Sequence, residues 1–173
     1  MERAPGVKFP PPELGARLDR ILACAETLVR SMPVRVLDHA PCHDGRSVRD
    51  LAFQIFWLAL AYVDGMDMGR LSESWLHETS PPDLVDGPAV GRYGALVRGR
   101  VSGWFEGAAP SEFARTIQVF DGPQNGRELL ERILGQAAGR LRLLHALAGA
   151  LGVTPPEPLP TSDLDGLPLP ASL

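Results

Sequence analysis

Apolar residues recur every three to four positions in four stretches of the chain, which is the pattern of helices that bury one face. These stretches cover residues 13–32, 47–65, 89–105 and 125–151. The second stretch is apolar on nearly all sides, which predicts a central position. The pattern therefore predicts an all-α protein built as a four-helix bundle.

Two of these predicted helices begin with residues typical of helix N-termini. Ser47 with Asp50, and Asn125 with Glu128, have the three-residue spacing of a capping box. In that motif each of the two side chains accepts a hydrogen bond from a backbone N–H group of the first turn. Gly152 follows the fourth stretch as a stop signal. The second and fourth helices are therefore predicted to begin directly after Ser47 and Asn125.

The remaining segments predict shorter or less regular structure. Residues 113–120 alternate between apolar and polar positions and predict a short extended segment. Pro-rich segments lie at residues 1–12 and 153–173, and leucines recur in the second of them at positions 159, 164, 167 and 169. This spacing predicts an ordered strap over the bundle. A chain of 173 residues fits a single domain over residues 1–173.

Charge and composition narrow the classes of partner. The chain has 17 Lys+Arg against 21 Asp+Glu, a net charge of -4, and no basic cluster, which argues against nucleic acid. Its first residues lack the apolar core of a signal peptide, and the apolar run at 51–63 is shorter than a bilayer span. Cys24 and Cys42 are interpreted as reduced thiols. We expect a cytoplasmic protein without a membrane partner.

Three polar residues interrupt the apolar faces of the second and fourth helices. Gln54 stands within a run of a dozen apolar residues, and Gln136 and Arg140 lie four apart in an apolar stripe. Residues four apart share a helix face, so the three side chains are predicted to meet inside the bundle. Glutamine is a poor metal ligand, arginine is not one, and the four histidines are too scattered for a metal site. We expect no metal and no cofactor.

Two glycines lie beside this polar trio. Gly135 and Gly139 each cost about 1 kcal/mol relative to alanine in a helix interior. They either permit close helix packing or leave room for a ligand, and a guanidinium at such a cavity suits a carboxylate, phosphate or enolate oxygen. Asp50, one turn before Gln54, is the nearest candidate general base, although capping explains it equally well. In the alternative interpretation Arg140 reaches solvent along its methylenes and Gln136 only bonds a neighbouring side chain.

Three blocks of the sequence resemble the DinB-like superfamily. They are RSVRDLAxQIF at 46–56, ELLER at 128–132 leading into Gln136 and Arg140, and DLDGLPLP at 163–170. The resemblance spans nearly the whole chain, and the tail block is typical of one bacterial branch. It implies a four-helix bundle in which the second helix supplies one His, and the fourth a His-x-x-x-His pair, to a divalent metal. Many members are thiol-dependent transferases or isomerases that use mycothiol, bacillithiol or glutathione.

By this resemblance, Gln54, Gln136 and Arg140 occupy the three ligand positions, and Gly135 replaces a frequent Trp. The metal-dependent mechanism is therefore not implied for this chain. We favour a metal-independent enzyme of transferase, isomerase or cyclase type, from specialised metabolism, acting on an anionic or carbonyl-bearing small molecule. Arg140 would stabilise developing negative charge while Gln54 and Gln136 orient the substrate. The alternatives are a non-catalytic small-molecule-binding protein and a polar core that only fixes a homodimer or the helix register.

Overall fold

The structure, a computed structural model, describes residues 9–41 and 45–167. In chain order its α-helices are α1 (Pro11–Arg30), α2 (Val34–Leu37), α3 (Val48–Met68), α4 (Gly87–Gly107), α5 (Pro110–Ala114), α6 (Gly126–Ala150) and α7 (Thr161–Leu164). The four long helices α1, α3, α4 and α6 form the bundle, so the predicted fold class is confirmed. Helix α1 begins inside the Pro-rich segment 1–12, because proline is well suited to the first turn of a helix.

Both predicted capping boxes are present. The Ser47 hydroxyl accepts a hydrogen bond from the Asp50 N–H at 3.1 Å, and the Asp50 carboxylate accepts one from the Ser47 N–H at 3.0 Å. At the start of α6, the Asn125 side chain accepts from the Glu128 N–H at 2.9 Å. These boxes fix where α3 and α6 begin, and therefore the height at which their inward residues face each other.

Contacts between the helices give their directions. The Tyr62 hydroxyl donates to the Gly126 carbonyl oxygen at 3.2 Å, while Arg140 contacts Gln54, so α3 and α6 are antiparallel. Helix α4 runs parallel to α3, since Gly94 lies against Phe56 and the α4 residue Trp104 bonds Asp67 of α3. The chain must therefore return along the bundle between α3 and α4. We name residues 69–86, which make this return, the crossover segment.

A small sheet lies beside the start of α6. Strand β1 (Arg70–Leu71) pairs in parallel with β2 (Thr116–Val119), which pairs antiparallel with β3 (Gly122–Asn125). The prediction of an extended segment at 113–120 is correct for β2 and wrong for Phe113 and Ala114, which belong to α5. Pro110 starts that helix, and its turn buries Phe113 in the core.

Helix α3 packs against the other three long helices of the bundle. The helix has 21 residues and, by length and composition, it could cross a membrane. The prediction that this region is too short to do so considered only the apolar run at 51–63, which is part of the helix. However, 67% of its most apolar window is buried inside the structure. Burial against the other bundle helices therefore accounts for its apolar character.

The described part of the C-terminal segment packs on α1 as the predicted strap. Leu164 is buried in the core, and the Arg17 guanidinium donates to the carbonyl oxygens of Asp163 at 3.4 Å and Asp165 at 3.0 Å. Leu169, the last of the four predicted leucines, lies outside the described residues.

Candidate functional site

Gln54 is buried in the bundle core, with 1% of its surface exposed. Its Oε1 accepts hydrogen bonds from Arg140 Nε at 3.2 Å and from Arg46 Nη1 at 3.3 Å. Its Nε2 donates to the Glu78 carbonyl oxygen at 3.3 Å. The amide thus uses both acceptor positions and one of its two donors. The structure gives this side chain the partners that burial of a polar group requires.

Arg140 reaches Gln54 from α6 across the helix interface. Its Nη1 also donates to the Gln136 carbonyl oxygen at 3.4 Å, one turn earlier on the same helix. Within residues 9–41 and 45–167, no carboxylate lies within ion-pair distance of it. Burial, assisted by the positive charge of Arg46, lowers the pKa of Arg140 to about 10. The guanidinium remains charged at neutral pH, so a partly buried cation faces the interior.

Arg46 is a site residue that the helical pattern of the sequence does not indicate. It lies in the loop just before the cap of α3, where no helical periodicity points to it. The sequence feature that points to Arg46 is its place as the first residue of the 46–56 block, which resembles the DinB-like superfamily. Because Arg46 and Arg140 both bond the same Gln54 oxygen, the structure holds two guanidinium groups side by side.

The other predicted site residues have less direct roles. Gln136 contributes its backbone carbonyl oxygen to Arg140, and its partly buried side chain makes no hydrogen bond with the described part of the chain. Gly135 and Gly139 are buried in α6, which packs against α3. Their role in making room for a ligand stays a prediction.

Asp50 is fully engaged by its neighbours. One carboxylate oxygen accepts from the N–H and hydroxyl of Ser47, and the other accepts from the N–H of Ser80 at 2.9 Å and its hydroxyl at 2.7 Å. Partial burial alone would raise the pKa of Asp50, but the bonds from Ser80 and Ser47 outweigh it and hold that pKa below its ordinary value. This geometry favours the capping interpretation over that of a general base.

The described residues also indicate how well this structure could bind a metal ion and how reactive its Cys24 thiol is. Across the described ranges, no group of three or more His, Cys, Asp or Glu side chains could hold a metal ion. Cys24 is a buried free thiol, and burial raises its pKa, which disfavours the reactive thiolate. Cys42 lies outside the described residues.

Comparison with solved structures places the chain beside a DinB-like protein, YjoA, from Bacillus subtilis. The two superpose with a TM-score of 0.64 at 14% sequence identity, over 82% of this chain and 92% of that one. No protein-family model and no curated protein matches the chain significantly. At this identity the likeness concerns the fold, and the chain therefore has the DinB-like fold.

Proposed function

We propose that the bundle binds a small anionic or carbonyl-bearing molecule through Arg46 and Arg140. The observation that carries the proposal is the pair of guanidinium groups on one buried amide oxygen. The lowered pKa of Arg140 means that burial makes its charged form less favourable than in water, by roughly 3 kcal/mol, although the charged form still predominates at neutral pH. A bound anion would remove this unfavourable term and would form charge-assisted hydrogen bonds with both guanidinium groups.

Of the two candidate functions, we favour a protein that binds a small molecule without converting it over a metal-independent enzyme. Asp50, the candidate general base, has both carboxylate oxygens occupied and a lowered pKa. Arg140 would stabilise developing negative charge on a bound carbonyl or enolate, so turnover is the alternative at the same site. A ligand identified by binding would serve as the starting compound for activity assays.

The purely structural alternative makes a different prediction about added anions. If Gln54 and the two arginines only fasten α3 to α6, small anions should not stabilise the protein.

Small anions should raise the melting temperature of the wild-type protein, because a ligand that binds only the folded state stabilises it. A panel of carboxylates, phosphates and low-molecular-weight thiols, measured by thermal shift, would identify the class. Arg140→Met should abolish the response by removing the charge while nearly keeping the volume. Arg142→Met, on the same helix but with a different orientation, is the matched control and should respond like wild type. Equal responses from both variants would contradict the assignment to Arg140.

Anion affinity should be constant around neutral pH and should fall as the pH rises through about 10. The sign follows from the lowered pKa of Arg140: the guanidinium is charged below about 10 and becomes neutral above it, and an anion prefers the charged form. Titration of a carboxylate, which stays ionised throughout this range, checks the effect by calorimetry. Affinity that stays constant to the alkaline limit of the fold would show that Arg140 does not carry the binding.

A further inference from the structure

Three side chains of α3 fasten the crossover segment to the bundle. The Trp57 indole N–H donates to the Trp75 carbonyl oxygen, the Gln54 amide donates to the Glu78 carbonyl oxygen, and the Asp50 carboxylate accepts from Ser80. Positions 50, 54 and 57 follow the spacing of one helix face. A single stripe of α3 therefore holds residues 75–80 along their length.

Gln54 is the member of this stripe that also contacts the arginines. The oxygen end of its amide faces Arg46 and Arg140, and the nitrogen end faces Glu78. A flipped amide would set N–H groups against two guanidinium cations and an oxygen against a carbonyl oxygen, so the hydrogen-bond network fixes its orientation. One rigid planar group thereby connects the arginine pair to the crossover segment.

We infer that anion binding at the arginine pair and the order of residues 75–80 are coupled through Gln54. The inference rests on the proposed function. An anion that bridges the guanidinium groups fixes their positions, which fixes the Gln54 oxygen and with it the bond to Glu78. Coupling of this kind is reciprocal. If the anion stabilises the ordered state of residues 75–80 by some factor, a change that disorders these residues must weaken anion binding by the same factor.

This coupling changes the role expected for Gln54. Both acceptor positions of its amide are occupied by the arginines, and one donor by Glu78. Gln54 is therefore a positioning residue that aims the two guanidinium groups, whereas the sequence alone predicts that it orients the substrate directly.

Hydrogen exchange of the full-length protein tests the coupling, with inorganic phosphate and acetate as probes. Exchange at the Ser80 amide, which donates to Asp50, and in the peptide 75–80 should slow several-fold when the anion binds wild type. In Gln54→Met the anion should bind more weakly, because the arginines lose the acceptor that aims them, and at saturating anion the added protection at 75–80 should be absent. Thermal shift on the same samples reports binding separately.

A matched pair of tryptophan variants tests the reverse direction. Trp57→Phe removes the indole bond to the crossover segment, and Trp104→Phe removes an indole bond to Asp67 at the opposite end of the bundle. Loss of one hydrogen bond to the crossover segment should weaken anion affinity about threefold to tenfold in Trp57→Phe and leave it unchanged in Trp104→Phe. Anion binding with unchanged exchange at 75–80, or equal affinities of the two variants, would overturn the coupling and leave the proposed function intact. Absence of any anion response in wild type would overturn both.

Discussion

Replacing Gln54 with methionine should lower the free energy of unfolding by about 2–4 kcal/mol, a large effect for one buried side chain. The variant keeps the side-chain length but leaves Arg46 and Arg140 without their shared acceptor and Glu78 without a donor. Buried polar groups that lose a hydrogen-bond partner are not compensated by water, and the cost is greatest for charged groups. Urea unfolding of wild type and variant measures the difference.

A double-mutant cycle isolates the part of this effect that involves Arg140. In an Arg140→Met background one of the two cations is gone, so Gln54→Met should cost less by about 1.5–3 kcal/mol, the range for hydrogen bonds to charged groups. The single variant Arg140→Met should itself be tolerated, because it removes a partly buried charge. Additive effects of the two substitutions would show that the 3.2 Å contact between these side chains does not contribute to stability.

Replacing Gln54, Gln136 and Arg140 together by histidine should create a site for zinc or nickel with a dissociation constant in the micromolar range or below, about -8 kcal/mol or better. The 3.2 Å contact between residues 54 and 140 places these two positions close together, and residue 136 lies one helical turn from residue 140. Three imidazole nitrogens near one point are sufficient ligands for either metal. Isothermal titration calorimetry measures the binding.

The neighbouring Arg46 supplies a control for this design. Its guanidinium lies 3.3 Å from the Gln54 oxygen, so its charge should oppose a metal cation there. Adding Arg46→Met to the triple variant should therefore tighten metal binding. A folded triple variant that binds neither metal, with or without Arg46→Met, would show that the three positions do not converge.

The bundle could be predicted from the sequence because its signals are local. The 3.6-residue period, the two capping boxes and the apolar α3 each depend on residues close together in the chain. The β1–β2 pairing depends on residues almost fifty positions apart, and no local pattern encodes such a contact. Helix α5 was missed at Phe113 because an alternating pattern of a few residues fits a single helical turn as well as a strand.

The candidate site was predictable to the extent that it lies on long helices. Gln54 and Arg140 were identified because a polar residue in an apolar stripe is conspicuous, and their contact follows from helix packing. Arg46 lies in a loop and Glu78 takes part through its backbone carbonyl oxygen, and neither property has a sequence signature. The engagement of Asp50 by Ser80, thirty residues away, likewise depended on the path of the crossover segment.

The most direct test of the proposed function is a crystal structure of the protein grown with inorganic phosphate or with the carboxylate that gives the largest thermal shift. We expect the anion to lie within hydrogen-bond distance of the guanidinium groups of both Arg46 and Arg140, with Gln54 still bonded to both and to Glu78. A structure in which Arg140 extends into solvent, with no anion beside Gln54, would contradict the proposal and would favour a polar core that serves only to hold the helices together.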